Sequence, residues 1–176
     1  MLRPTDNLCS VKQGEFRISK STNDVQVCVL GSCIATCFYD PITRLGGMNH
    51  FLLPGQDPGA RQEIKYGAHA MEQLVNALLR AGAARHNLQV QIFGGAKVIK
   101  SGGNIGLNNA QFARQFVSEE GFELTKTDVG GTCGRRLMYR PATGVAEVEI
   151  LRNAAAVPQA TPVRNIPQET GSIELF

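Results

Sequence analysis

Two stretches decide how this chain folds: Leu30-Gly31-Ser32-Cys33-Ile34-Ala35-Thr36-Cys37 and, shortly after, Gly46-Gly47-Met48-Asn49-His50. The β-branched apolar run Val25 to Leu30 stops at a glycine and a serine, and a second run, Ile34 to Tyr39, starts directly after Cys33. Short runs of this composition read as buried strands, with Gly31 as the break between them. Asp40-Pro41-Ile42-Thr43 then turns the chain, because an aspartate side chain bonds its own backbone and proline fixes φ. A third strand is expected from Leu45 to Leu53, interrupted early at Gly46-Gly47. Strand, turn and strand thus place a cysteine at the mouth of one strand and a histidine on the next, where the two can face each other.

Toward the N-terminus, residues 1–12 are polar and mixed and read as a loose lead-in. Gly14 to Ser19 alternates apolar and polar, which suits a short strand, and Ser21-Thr22-Asn23-Asp24 is a turn cluster. On the other side, Pro54-Gly55-Gln56-Asp57-Pro58-Gly59 is a loop that could serve as a mobile flap. Lys65 to Ala81 carries the clearest helix: Met71, Leu74, Val75, Leu78 and Leu79 form one apolar stripe, and Gly82 can end it in the left-handed conformation. Leu88 to Phe93 alternates as a strand and stops at Gly94-Gly95-Ala96. After the glycine-rich Ser101 to Gly106, Asn108 or Asn109 is expected to cap a second helix to about Glu120, with Phe112, Phe116 and Val117 inward. Phe122 to Val129 is a further strand. Arg136 to Arg140 and Val145 to Ile150 flank Pro141-Ala142-Thr143-Gly144 as a hairpin. Residues 153–167 carry little apolar bulk and read as a flexible tail, with Ile173 to Phe176 as an apolar end able to dock.

There is no internal repeat. Strands and helices are mixed without strict βαβ alternation, so the class is α+β, with one domain over residues 1–152 and a tail over 153–176. A length of 176 residues with 43% apolar side chains suits one core of ordinary size. A net charge of +3 is too weak to argue for nucleic acid. The dense basic spot, Arg135-Arg136 with Arg140 nearby, reads first as a solvated face and second as a phosphate-binding patch. No stretch approaches the roughly 20 apolar residues of a membrane helix, and Met1 to Asp6 has no apolar core behind its charge, so a secretory signal is not expected. A cytoplasmic location follows as an expectation. The five cysteines, Cys9, Cys28, Cys33, Cys37 and Cys133, are odd in number, which argues against a disulfide framework.

A cysteine attacks as its thiolate and needs a nearby base and a place for the oxyanion. Gly31 and Ser32 permit a sharp turn before Cys33, and backbone N–H groups exposed by such a turn can hold an oxyanion. Cys28 and Cys37 sit within strands, where a thiol is an inert small hydrophobe. His50 stands in an apolar setting that also suits a satisfied core histidine; its pairing with Cys33 is what favours a base. His69 and His86 read as surface residues. A metal site is the competitor, but Cys28, Cys33 and Cys37 lack the CxxC spacing of zinc knuckles, so no metal is expected. Neither glycine loop matches a nucleotide-binding pattern. Glycines that let backbones approach one another are the simpler account.

These blocks together resemble the CheD family of chemoreceptor glutamine deamidases. The resemblance rests on Leu30-Gly31-Ser32-Cys33, Gly46-Gly47-Met48-Asn49-His50 with Leu53-Pro54, and Phe93-Gly94-Gly95-Ala96. It continues through Asn104-Ile105-Gly106 with Asn109, Asp128-Val129-Gly130-Gly131 with Arg135-Arg136, the closing Glu174-Leu175-Phe176, and more weakly Gly14-Glu15. It implies a layered sandwich of mixed sheets flanked by helices, akin to toxin deamidases, with Cys33 as nucleophile and His50 as general base and acid, and no cofactor. The implied substrates are glutamines on methyl-accepting chemotaxis receptors, with glutamyl methyl esters as a second class, and the implied partner is a CheC-like phosphatase. One departure is plain. The family usually has a threonine a few residues before the LGSC block, counted as a third catalytic-site residue. Here Val27, Cys28 and Val29 occupy that place, and Thr22 lies too far upstream. The third catalytic group is therefore unknown; a backbone carbonyl or another side chain must orient the histidine. The alternative from another class is a non-catalytic binding module for a CheC-like phosphatase.

Overall fold

The computed structural model describes residues 2–53, 61–98 and 103–152. Its strands are β1 (Asn7–Ser10), β2 (Phe16–Ser19), β3 (Asp24–Leu30), β4 (Ile34–Asp40), β5 (Leu45–Phe51), β6 (Gln89–Gly94), β7 (Glu123–Val129), β8 (Gly134–Arg140) and β9 (Val145–Leu151). Its helices are α1 (Arg61–Arg80) and α2 (Ile105–Glu119). The expected flap at Pro54 to Gly59, part of the loop before α2, and the tail 153–176 lie outside the described residues.

The strands form two mixed sheets, β1-β3-β8-β9 and β2-β5-β4-β6-β7. Each contains one parallel pair, β1 with β3 and β6 with β7; the other pairings are antiparallel. The α+β expectation of layered mixed sheets with flanking helices holds. Side-chain alternation along β4 and β5 sorts the core into two layers. Ile34, Phe38 and Phe51 join Met71, Leu74 and Leu78 of α1 and Ala113 and Phe116 of α2 in one cluster. Cys33, Ala35, Cys37 and Met48 join Cys28 and Leu30 of β3 and Leu137 and Tyr139 of β8 in the other. The five-stranded sheet is thus the middle layer, covered by helices on one face and by the four-stranded sheet on the other.

Several expectations need correction. The lead-in expected over residues 1–12 is not loose across its described part, residues 2–12. β1 pairs in parallel with β3, and the Arg140 guanidinium grips both oxygens of Asp6, at 2.9 and 2.7 Å. Such a bidentate pair fixes geometry as well as charge, and it holds the Asp6 carboxyl well below the usual range. Gly46 and Gly47 do not interrupt β5, which runs unbroken. A Cβ at Gly46 would lie 2.4 Å from the Pro141 carbonyl, and one at Gly47 would lie 2.6 Å from the Arg17 carbonyl and 2.8 Å from Leu74 of α1. Both glycines are there for close approach. The second helix begins at Ile105, with Asn104 at the cap position, so Asn108 and Asn109 are inside it. α1 starts four residues earlier than its apolar stripe suggested, at Arg61 rather than Lys65.

α1 is also tied down by polar groups from the middle sheet. Asn49 Nδ2 donates to the Ala70 carbonyl at 3.1 Å, while its Oδ1 accepts from the Thr36 hydroxyl at 2.6 Å and the Thr36 N–H at 3.1 Å. Asn49 therefore points to the helix, and its neighbour His50 points the opposite way. Gly47→Ala should force α1 off this sheet and destabilise the protein by about 1–3 kcal/mol. Urea unfolding followed by circular dichroism checks this; an unchanged midpoint would contradict the close packing.

Candidate functional site

The chain passes from the four-stranded to the five-stranded sheet through Gly31-Ser32-Cys33, between β3 and β4. Its carbonyls are pinned one after another. Ala96 N–H donates to the Gly31 carbonyl at 2.8 Å, Asn109 Nδ2 to that of Ser32 at 3.0 Å, and Gly95 N–H to that of Cys33 at 2.8 Å. In a planar trans peptide the N–H points opposite to the C=O. Pinning the carbonyls of Gly31 and Ser32 therefore aims the N–H groups of Ser32 and Cys33 away from Asn109 and the Gly94–Ala96 turn. The support behind them is tight. A Cβ at Gly94, where φ is +109°, would lie 2.2 Å from the Cys33 carbonyl, and one at Gly95 would meet Gly106 of α2 at 2.6 Å. The glycine pair thus allows close backbone approach.

Asn109 is wholly buried. Besides holding Ser32, its Oδ1 accepts from the Leu53 N–H at 2.8 Å. One carboxamide thereby joins the cysteine turn to the end of the histidine strand. Arg135 corrects another expectation. It is 6% exposed rather than solvated, donates to Asp128 at 3.0 Å and to the Gly130 carbonyl at 2.8 Å, and reaches the Gly94 carbonyl at 3.5 Å. It braces the turn behind Cys33 and is not available to steer a partner. Arg136 is exposed and paired with Glu149 at 3.0 Å.

Ala35 pairs with His50 across β4 and β5. Cys33, two residues before Ala35, faces the same inter-sheet layer, so the fold brings Cys33 and His50 to one face of adjacent segments. They are 6% and 7% exposed. His50 Nδ1 lies 3.0 Å from the Val11 carbonyl. A carbonyl can only accept, so Nδ1 carries the proton, and Nε2 of the neutral ring is the free lone pair. Nε2 is buried and has no hydrogen-bond partner among the described residues. The orienting group is thus a backbone carbonyl, the first of the two options left open above. Val11 is itself held by its N–H on the carbonyl of Val27 at 2.9 Å. Val27 belongs to the stretch where the family's threonine is usually found. Thr22 is exposed in the turn before β3, away from this group.

The segment between β1 and β2 crosses the two sheets beside Cys33, and sequence reasoning missed it. Gly14 N–H donates to the His50 carbonyl at 2.7 Å, and His50 N–H donates to the Glu15 carbonyl at 3.0 Å. The Cys33 thiol donates to Gln13 Oε1 at 3.5 Å. The Gly14-Glu15 pair was the available signal; nothing marked Val11, whose contribution is a carbonyl.

Burial pushes the Cys33 thiol up to about 11 and that of Cys28 up to about 12. It holds Cys37 well above the usual thiol range as well. Burial also lowers His50 below its ordinary 6.5, against the opposing pull of the Val11 carbonyl and the Glu15 charge. At neutral pH the site therefore holds a thiol and a neutral imidazole. His69 and His86 are exposed, as expected. Among the described residues no group of His, Cys, Asp and Glu side chains could hold a metal ion, and no helix is long and apolar enough to cross a membrane.

The chain matches the family model described as CheD chemotactic sensory transduction over residues 52–150. It is 46% identical over 147 residues to a protein of Jannaschia sp., covering 84% of each chain. It is 42% identical over 170 residues to one of Cereibacter sphaeroides, covering 97% of this chain and 85% of the relative. It is 41% identical over 169 residues to one of Zymomonas mobilis, covering 94% and 91%. Each of the three is named a probable chemoreceptor glutamine deamidase CheD. Among solved structures, the Bacillus licheniformis hypothetical protein YfiH is similar at a TM-score of 0.46 and 12% identity, over 70% of this chain and 59% of that one.

If the pair rests as thiol and imidazole, alkylation of Cys33 by iodoacetamide should accelerate with pH toward a midpoint near 11. Peptide mass spectrometry across a pH series measures it. A plateau reached below pH 8 would show a resting thiolate instead.

Proposed function

The chain belongs to the CheD family, and on that premise we propose that it is a cysteine amidohydrolase that converts glutamine side chains of chemoreceptors to glutamate. The observation that carries this reading is His50 Nε2, without a hydrogen-bond partner among the described residues and fixed by the Val11 carbonyl on the same face as the Cys33 thiol. A partnered or surface histidine would not supply a base there.

In this mechanism the proton of Cys33 passes to His50 Nε2 as sulfur bonds to the glutamine Cδ, and the carbonyl electron pair moves onto oxygen. The N–H groups of Ser32 and Cys33 receive that oxyanion, with Gly31 giving the turn its freedom. As the tetrahedral species collapses, the C–N bond breaks and His50 returns its proton to the nitrogen, which leaves as ammonia. Water then gives a proton to Nε2 and adds to the thioester carbonyl. The C–S bond breaks, the thiol regains its proton, and glutamate remains. Every proton passes through a group the site holds, so the steps need no cofactor. A glutamyl methyl ester passes through the same tetrahedral geometry and is a second substrate class for the pair.

A receptor substrate presented on cytoplasmic helices supports a cytoplasmic location for the enzyme. A CheC-like phosphatase would be its partner. A purely binding role gives no purpose to an imidazole nitrogen that lacks a partner among the described residues and lies on the same face as a thiol, so the enzyme reading is favoured.

A receptor cytoplasmic fragment incubated with the protein should gain the Gln-to-Glu mass change. Cys33→Ala should reduce that turnover by about a thousandfold or more, and His50→Ala by at least about a hundredfold, with folding intact. Full activity in Cys33→Ala would reject the assignment. Because the base must be neutral and burial lowers its pKa, kcat/KM should rise with pH along an acid limb with its midpoint below 6.5. A limb at or above 7 would contradict the role of His50.

A further inference from the structure

We infer that Gln13 is a further catalytic residue, whose carboxamide is the side-chain donor to the oxyanion formed when Cys33 attacks. The inference rests on the reading of Cys33 as nucleophile.

Gln13 Oε1 accepts from the Cys33 thiol at 3.5 Å, so the carboxamide stands at the atom that forms the new bond. Its backbone is not free to drift. Lys12 to Glu15 closes a turn through Glu15 N–H donating to the Lys12 carbonyl at 2.9 Å, and the Glu15 carboxylate accepts the Lys12 N–H at 3.0 Å. Gly14 sits at the third position of that turn with φ +87°, the conformation a type II turn requires there. The same turn bonds both the N–H and the C=O of His50. Gln13 therefore occupies the corner of a turn fastened to the histidine strand, beside the sulfur.

The chemistry of the step demands a change of partner. While Cys33 is a thiol it donates, and a carboxamide oxygen is the right acceptor. Once the proton has gone to His50, that oxygen would face electron-rich sulfur and a carbonyl oxygen gaining charge. The terminal torsion of glutamine is broad and roughly two-fold, so a half-turn exchanges Oε1 for Nε2 without moving the backbone. A carboxamide carries both an acceptor and donors. Gln13 thus accepts from the resting thiol and then donates to the anion, adding to the backbone donors of Ser32 and Cys33.

Two substitutions of similar length separate the roles. Gln13→Met removes both the donor and the acceptor; Gln13→Glu keeps the acceptor and replaces the donor with a negative charge. Both should lower kcat for receptor-fragment deamidation by about 100-fold or more with KM little changed. Thermal unfolding and iodoacetamide alkylation of Cys33 are measured alongside. Alkylation needs the nucleophile but forms no oxyanion, and the acceptor lost in Gln13→Met favours the thiol over the thiolate, so the alkylation rate of that variant should not fall below the wild type. Wild-type kcat in Gln13→Met or Gln13→Glu would overturn the donor role. A parallel fall in alkylation and kcat would also overturn it, reducing Gln13 to a support for the thiol. Cys33→Ala, run beside them, separates the two claims: its full activity would sink the nucleophile assignment itself, whereas an inactive Cys33→Ala with a fully active Gln13→Met would sink only the role of Gln13.

Discussion

Between Leu30 and Ile34 the chain must leave one sheet and enter the other, and most of the site follows from how those three residues are held. A strand-to-strand passage that short cannot satisfy its own carbonyls. They are taken up by Ala96, Asn109 and Gly95, from the end of β6 and from α2. The need for those donors explains why the Gly94–Ala96 turn and α2 crowd together at spacings that only glycine tolerates. It also explains why Arg135 is buried behind them, bonded to Asp128 and the Gly130 carbonyl. With the carbonyls committed, the amides of Ser32 and Cys33 point to the other side.

The second crossing, from β1 to β2, supplies what the first lacks. Val11 sets the tautomer of His50, Gln13 meets the thiol, and Gly14 and Glu15 bond the histidine backbone. Burial then decides the resting state. A desolvated thiolate beside a desolvated imidazolium would need strong compensation, and among the described residues no carboxylate is hydrogen-bonded to the ring. The neutral pair wins, and in the proposed mechanism the thiol gives up its proton only when a substrate carbonyl arrives. A buried thiol in that state is shielded from adventitious oxidation, since reactivity follows thiolate character and exposure.

The parts of this arrangement that depend on side-chain periodicity were legible in the sequence. β3, β4, β5 and α1 announce themselves by apolar runs or a helical stripe, and the positions of Cys33 and His50 on neighbouring strands follow from them. β1 was not legible, because four largely exposed residues carry no alternation and are held by backbone pairing and by Arg140 gripping Asp6. The start of α2 was obscured by Gly106, a poor helix former placed there by its contact with Gly95. Arg135 looked like surface because its partners, Asp128, Gly130 and Gly94, come from the ends of β6 and β7 and are not marked by the residues beside it in sequence. The Val11 carbonyl could not have been found at all, since a main-chain acceptor leaves no trace in residue type. A backbone carbonyl was one of the two options for orienting His50, but nothing in residue type could say which carbonyl.

The central claim is that the Val11 carbonyl holds His50 as a neutral imidazole with its proton on Nδ1 and a free Nε2. Long-range proton–nitrogen correlation spectra of histidine-labelled protein at pH 7, with His50 assigned from a His50→Gln variant, test it directly. The account predicts one neutral tautomer protonated at Nδ1. An Nε2-protonated ring, or an imidazolium at that pH, would contradict it.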